Sequence, residues 1–145
     1  MARYLLVVFS LLFALVWANT PVELSFAEMY TEMYAEAGST LEFSQTLKAA
    51  EGQTVKLKGY AAPPLKPNQD FFVLTRYPVS VCPFCEDETQ WPPDIVFIRL
   101  PPNGFNEIIF GGFEVTGTLE LGPATDPGTG FVSRVRIIAD KVERP

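Results

Sequence analysis

Two hydrophobic periods divide the chain. Near the start, Phe26, Met29, Tyr30, Met33 and Tyr34 recur at helical spacing on one face. Ser25-Phe26-Ala27-Glu28 just before them has the Ser-x-x-Glu spacing of a capping box, and Gly38 follows as a stop. The pattern predicts a helix over 26–37. Ser44 is placed to cap a second, shorter helix through Ala50, ended by Gly52. From Thr54 the period changes to two. Val55 and Leu57 alternate with Lys56 and Lys58, the pattern of a half-buried strand. Gly59 falls where a strand would bend sharply in a small barrel.

Further strands are predicted over 71–77 and 95–100, separated by a proline-bounded loop over 77–93. Pro63, Pro64 and Pro67 mark the loop before the first of them, and Pro101-Pro102-Asn103-Gly104 a turn after the second. Residues 106–110 are ambiguous between a short strand and a buried crossing. Phe113, Val115, Gly117, Leu119 and Leu121 then alternate with Glu114, Thr116, Thr118 and Glu120, the clearest strand in the chain. A polar loop over 122–130 turns at Asp126-Pro127-Gly128. Val135, Ile137 and Ala139 alternate with Arg134, Arg136 and Asp140 in a last strand. The fold expected is mostly β: a small five-stranded antiparallel barrel of the OB type with an N-terminal helix. An open β-sandwich is the alternative. An OB-fold usually has a helix between its third and fourth strands, and 101–112 is too short and broken to hold much of one. The N-terminal helix is expected to cover that end instead.

The segment before the first helix changes the reading of compartment. Arg3 is followed by an apolar run over 5–17, and Val16-Trp17-Ala18 provides a cleavage site. This reads as a secretory signal peptide cut after Ala18, because the run is short for a membrane span of about 20 residues. The division expected is therefore a signal peptide over 1–18, a helical segment over 19–53 and the barrel over 54–145, with a periplasmic or secreted location. No other stretch is apolar enough to insert stably in a bilayer. The chain carries a net charge of −6 with a pI near 4.6. That balance argues against nucleic acid and against an anionic membrane surface as partners.

The chemistry lies in the loop. Both cysteines, Cys82 and Cys85, stand there in Cys-x-x-Cys spacing, and the chain has no His. A Ser-His-Asp triad is thereby excluded. A c-type haem site is excluded too, because Glu86 occupies the position of its His. Three roles remain. Export favours a local disulfide, which over so short a loop stabilises the fold by roughly 2 kcal/mol. Two thiolates also make half of a tetrahedral Zn(II) site or a two-coordinate Cu(I) site. Glu86, Asp87, Glu88 and Asp94 would add a negative field and oxygen ligands, and a partner or second subunit would complete the zinc set. A thiol–disulfide oxidoreductase is the third role, and the residues argue against it. No helical pattern follows Cys85 to lower the thiol pKa, and the acidic run raises it with only Arg76 nearby in opposition. Tyr77, Phe84 and Trp91 are candidates for a ligand pocket or partner contact beside the loop, and equally for plugging a barrel end. The reading overall is a non-enzymatic module.

The stretch Gly52-Gln53-Thr54-Val55-Lys56-Leu57-Lys58-Gly59-Tyr60-Ala61-Ala62-Pro63-Pro64 resembles the start of an uncharacterised family of exported bacterial proteins, a domain of unknown function. The likeness continues through Phe72-Val73-Leu74-Thr75-Arg76-Tyr77, the loop Cys82-Pro83-Phe84-Cys85 and Val115-Thr116-Gly117-Thr118-Leu119-Glu120-Leu121-Gly122, and spans about 41–142. The resemblance implies an OB-like barrel in the periplasm. Some relatives are associated with transition-metal transport, so it also implies metal handling and a cell-envelope partner, a transport system among the candidates. It transfers no catalytic residue.

Overall fold

The computed structural model describes residues 20–35, 38–63, 70–80, 91–102 and 111–145. In chain order the elements are β1 (Val22–Leu24), a 3-10 turn (Phe26–Glu28), β2 (Tyr30–Ala35), β3 (Gly38–Phe43), α1 (Gln45–Ala49), β4 (Thr54–Ala61), β5 (Phe71–Thr75), β6 (Ile95–Arg99), β7 (Gly112–Thr125) and β8 (Val132–Glu143). β2 and β3 form a separate antiparallel hairpin, with Tyr30 opposite Phe43 and Ala35 opposite Gly38. The other six strands make one mixed sheet in the order β1-β4-β5-β6-β8-β7, and β4 pairs with β7 as well. Residues 1–18, expected as a signal peptide, and residues 106–110 lie outside the described residues.

The helix expected over 26–37 is not there. Its capping signal is real but local: Ser25 Oγ accepts a hydrogen bond from Ala27 N at 3.3 Å, and Glu28 N closes the 3-10 turn on Ser25 O at 3.0 Å. After Met29 the chain extends. Tyr and Thr at 30, 31 and 34 favour strands, and β3 supplies a ladder for them. That pairing overrides the helical spacing. The second helix does form as expected. Ser44 Oγ accepts from Leu47 N at 3.1 Å and donates to Glu28 O. Gly52 ends it with φ +75, a conformation glycine adopts at no steric cost, and its N–H reaches Leu119 O at 2.8 Å.

β4 alternates as expected, with Val55 and Leu57 fully buried. It pairs with β7 from Thr54 to Tyr60 but with β5 only at Tyr60↔Thr75 and Ala61↔Leu74. β1 runs parallel beside its first half. Gly59 sits where β4 meets β5. A Cβ there would stand 2.7 Å from Thr75 O and 2.8 Å from Leu74 Cγ, so the approach of the two strands requires glycine.

The sheet is mixed rather than antiparallel. β4–β5, β5–β6, β7–β8 and β4–β7 are antiparallel, whereas β6–β8 is parallel from Phe97↔Arg136 to Arg99↔Ile138. The reason is directional. Antiparallel steps from β6 through β5, β4 and β7 to β8 leave β6 and β8 pointing the same way, so they can meet only in parallel. The pairings thus run β4–β5–β6–β8–β7 and return to β4, but unevenly, since β4–β5 contributes two positions and β7–β8 extends from Glu114 to Thr125.

The inner residues of these strands form one core: Val55, Leu57, Phe72, Leu74, Val96, Ile98, Phe113, Val115, Leu119, Val135 and Ile137. Met29 and Leu47 join it from the N-terminal region, both buried. Each fully buried side chain of this size contributes about 1.5–3 kcal/mol. β7 and β8 are longer than their alternating segments. The polar stretch expected as a loop over 122–130 is strand as far as Thr125, and only Asp126 to Gly130 turns. Gly122 and Pro123 fall at a register shift between Leu121 and Ala124. Arg136 Nη1 donates to Gly122 O there at 2.7 Å, satisfying a carbonyl that the irregular ladder leaves over.

Candidate functional site

β5 and β6 read as continuous apolar runs, and both are buried on two faces, with all of Phe71 to Thr75 and Ile95 to Ile98 withdrawn from solvent. Their ladder ends at Thr75↔Ile95. One further step follows it: Arg76 N donates to Asp94 O at 2.9 Å, and the Arg76 guanidinium lies 3.6 Å from the Asp94 carboxylate. Thr75 Oγ1 stands 3.0 Å from Tyr60 O and 2.7 Å from Tyr77 O, able to donate to either. The chain therefore leaves for 77–93 and returns from it at a closed, hydrogen-bonded base.

Cys82, Phe84, Cys85, Glu86, Asp87 and Glu88 lie outside the described residues. Asp94 pairs with Arg76, and its side chain stays about half exposed. Arg76 in turn stacks on Tyr77, 5.1 Å from the ring centroid, and Tyr77 is 58% exposed. Trp91 turns the other way. It packs edge-on against Phe131 at 6.1 Å and joins Val79 and Phe131 over the buried Ala62, Val73 and Ile95. The two aromatic candidates at the loop base thus have separate roles, one open to solvent and one folded onto the outer face of β5 and β6.

That outer face holds a cluster that sequence reasoning missed. Phe71 and Phe97 stack at 4.5 Å, and Phe131 stacks on Phe97 at 5.7 Å. The Arg99 guanidinium lies 5.0 Å from the Phe97 centroid and binds Asp126 Oδ1 at 2.6 Å and Asp70 Oδ2 at 2.7 Å. Asp126 also accepts from Thr129 N at 2.9 Å and Thr129 Oγ1 at 2.7 Å. Burial works to raise the Asp126 carboxyl, but the hydrogen bonds from Arg99 and Thr129 outweigh it and hold the group below the ordinary aspartate range. Arg99 is likewise desolvated yet held above its usual value by Asp126 and Asp70. The signal available in sequence was the Asp-Pro-Gly turn, which marks a turn and not an ion-pair partner.

A second unanticipated contact joins the hairpin to the loop base. Tyr30 Oη and Trp91 Nε1 are both buried, with no partner in hydrogen-bond geometry among the described residues. Burial raises the Tyr30 hydroxyl above its usual range; the approach of the Trp91 indole N–H and the charge of Arg134 oppose this without reversing it. Arg134 lies over the ring of Phe43, 5.6 Å from its centroid, and Phe43 packs against Tyr30 at 5.7 Å.

Among the described residues no group of three or more His, Cys, Asp or Glu is placed to hold a metal, and no helix is long and apolar enough to cross a membrane. No family model and no curated protein matches the chain. Among solved structures it is similar to the crystal structure of a DUF3299 family protein from Pseudomonas aeruginosa PAO1. The TM-score is 0.52 at 19% identity, over 85% of this chain and 95% of that chain. At that identity the likeness concerns the fold. A neighbour from a family of unknown function fits the uncharacterised family that the sequence resembles.

Proposed function

We propose that this chain is an exported, non-enzymatic binding or accessory module of the cell envelope, built on a partly open OB-like barrel of β4 to β8. Its Cys82-Pro83-Phe84-Cys85 loop handles a transition metal, Zn(II) or Cu(I), with a cell-envelope protein as partner. The observation that carries this reading is the closed base at Arg76 and Asp94. It fixes the ends of a loop whose sequence holds the two thiols and an acidic run, which suits presentation of a soft-metal site. The aromatic face of β5 and β6 supports the exclusion of nucleic acid. OB-folds use that face for stacking bases, and here the protein's own Phe131 and Trp91 cover it.

The test is metal binding by the reduced chain from Asn19 to Pro145. Stoichiometric uptake of Zn(II) or Cu(I), lost in the Cys82→Ser/Cys85→Ser variant with the fold intact, is expected. A Cys82–Cys85 disulfide in protein taken directly from the export compartment, with no metal uptake after reduction, would replace the metal role by a structural bridge. Turnover of a disulfide substrate, with a thiol pKa near 6 or below, would make the loop a redox centre.

A further inference from the structure

The last two strands end in a ribbon that leaves the ladders of the main sheet. β4 pairs with β7 only as far as Thr118, and β6 meets β8 only from Arg136 onward. From Leu121 to Val135 the described pairing of β7 and β8 is with each other. At the root of this ribbon the register shifts between Leu121 and Ala124, and Gly122 takes φ +94. A ribbon bends most readily at such an irregularity. β8 is anchored beside it, by Arg136 on the Gly122 carbonyl and by Arg134 over the Phe43 ring. At the far end, Phe131 lies 5.7 Å from the Phe97 centroid and 5.8 Å from that of Phe71, and both of those rings are buried. Pro127, Gly128 and Gly130 of the same turn meet solvent. The turn reaches β6 through Asp126, which accepts from Arg99 at 2.6 Å. Its bonds from Asp126 to Phe131, Gly130 and Thr129 are internal and would travel with it.

We propose that this β7–β8 ribbon is a lid over the aromatic face of β5 and β6, hinged at Gly122–Pro123 and latched by Arg99 on Asp126, and that it lifts as a unit when Asp126 loses its charge. Hinges absorb the backbone change at a few residues while the segments on either side move as rigid bodies. The charged groups that face Asp126 among the described residues are Arg99 of β6 and, across it, Asp70 ahead of β5. Asp70 does not belong to the ribbon and keeps Arg99 paired when the lid lifts. Because the Asp126 carboxyl is held below its ordinary range, the latch holds down to about pH 4 and yields as pH falls further. Opening bares the rings of Phe71 and Phe97 and the edge of Trp91.

The experiment follows ring–ring nuclear Overhauser effects in the chain from Asn19 to Pro145. Contacts of Phe131 with Phe97 report the lid, and the Phe72–Phe113 pair, packed inside the core, reports the barrel. On acidification below about pH 4 the Phe131–Phe97 effect is expected to vanish while the Phe72–Phe113 effect and the Ala124–Ser133 pairing persist. Trp91, the only tryptophan of that chain, should shift its emission to the red over the same range as Phe131 leaves it. Asp126→Asn should lose the Phe131–Phe97 effect already at neutral pH. Asp70→Asn, which removes the other partner of Arg99, should keep it. Loss of the Phe72–Phe113 effect together with the Phe131–Phe97 effect would mean unfolding of the whole barrel and would overturn the proposal. So would a Phe131–Phe97 effect that survives below the titration of Asp126, or one that Asp70→Asn abolishes as readily as Asp126→Asn. The acid titration of the unmodified chain decides the matter if Asp126→Asn does not fold. Cys82 and Cys85 play no part, so the result is independent of the metal titration.

Discussion

Arg99, at the end of β6, and Asp126, in the turn between β7 and β8, meet at 2.6 Å over the stacked rings of Phe71 and Phe97. The Asp126 side chain is 4% exposed and that of Arg99 27%, so the pair is partly buried, with its carboxylate enclosed. Asp126 N also donates to Phe131 O and Gly130 N to Asp126 O, each at 2.8 Å. One carboxylate thus ties together the turn, the strand end and the aromatic face.

Asp126→Asn keeps the shape and removes the charge. It should destabilise the protein by about 1.5–3 kcal/mol, the range for hydrogen bonds to charged groups. Urea unfolding should show a lower midpoint at unchanged slope. A change below about 0.5 kcal/mol would show that the amide oxygen serves Arg99 and Thr129 as well as the charged carboxylate does.

The same carboxylate makes stability depend on acid. Its folded pKa lies below that of the unfolded chain, so folding favours the ionised form. The contribution is complete above the unfolded aspartate value of about 4 and is lost as pH falls through the folded value. Unfolding midpoints should drop on acidification below about pH 4, and less steeply in Asp126→Asn. Glu114 is also held below its usual range, chiefly by Lys58 and Lys56 against the opposing effect of desolvation. Its side chain is 19% exposed against 4% for Asp126, so high salt should weaken its share more than the Asp126 share.

Gly117 in β7 stands at the register shift where β7 faces both Val55 of β4 and Ala139 of β8. A Cβ there would fall 2.2 Å from Ile138 O and 2.7 Å from Ala139 Cα. Both obstacles are backbone, so relaxation must move a strand. Gly117→Ala should cost about 1–3 kcal/mol or prevent folding. Gly128→Ala is the control: its nearest neighbour is Asp126 Oδ2 at 3.5 Å, and thermal unfolding should shift little.

Tyr30→Phe removes one of the two unpartnered buried polar atoms where the hairpin meets Trp91. Deleting an unsatisfied hydroxyl while keeping the ring should be neutral or stabilising by up to about 1 kcal/mol. Differential scanning fluorimetry is sufficient to read it. A loss of more than about 1 kcal/mol would mean that the hydroxyl is satisfied in solution.

The strands were legible where burial is one-sided. Val55 and Leu57, and the run from Phe113 to Leu119, alternate because one face packs and the other meets solvent. α1 was legible because Ser44 caps it and Gly52 stops it. The hairpin was not. Phe26, Met29 and Tyr30 do share an inward direction, but a 3-10 turn and the start of a strand produce it together. Gly122 and Pro123, which read as turn signals, hid the extension of β7; they fall at a register shift, where Arg136 takes up the Gly122 carbonyl. At the site, the loop base could be guessed from the flanking strands. The Arg99–Asp126 pair could not, since its partners lie 27 residues apart and no local pattern joins them.

β8 pairs with β6 on one side and β7 on the other. Two strands made earlier in synthesis therefore wait for a third before their edges are covered. Such distant pairing slows folding and prolongs exposure of partly folded chains. A premature stop or a proteolytic cut ahead of Val132 would release two raw edges at once. The truncated chain would tend to self-associate through them instead of persisting as a smaller, soluble fragment.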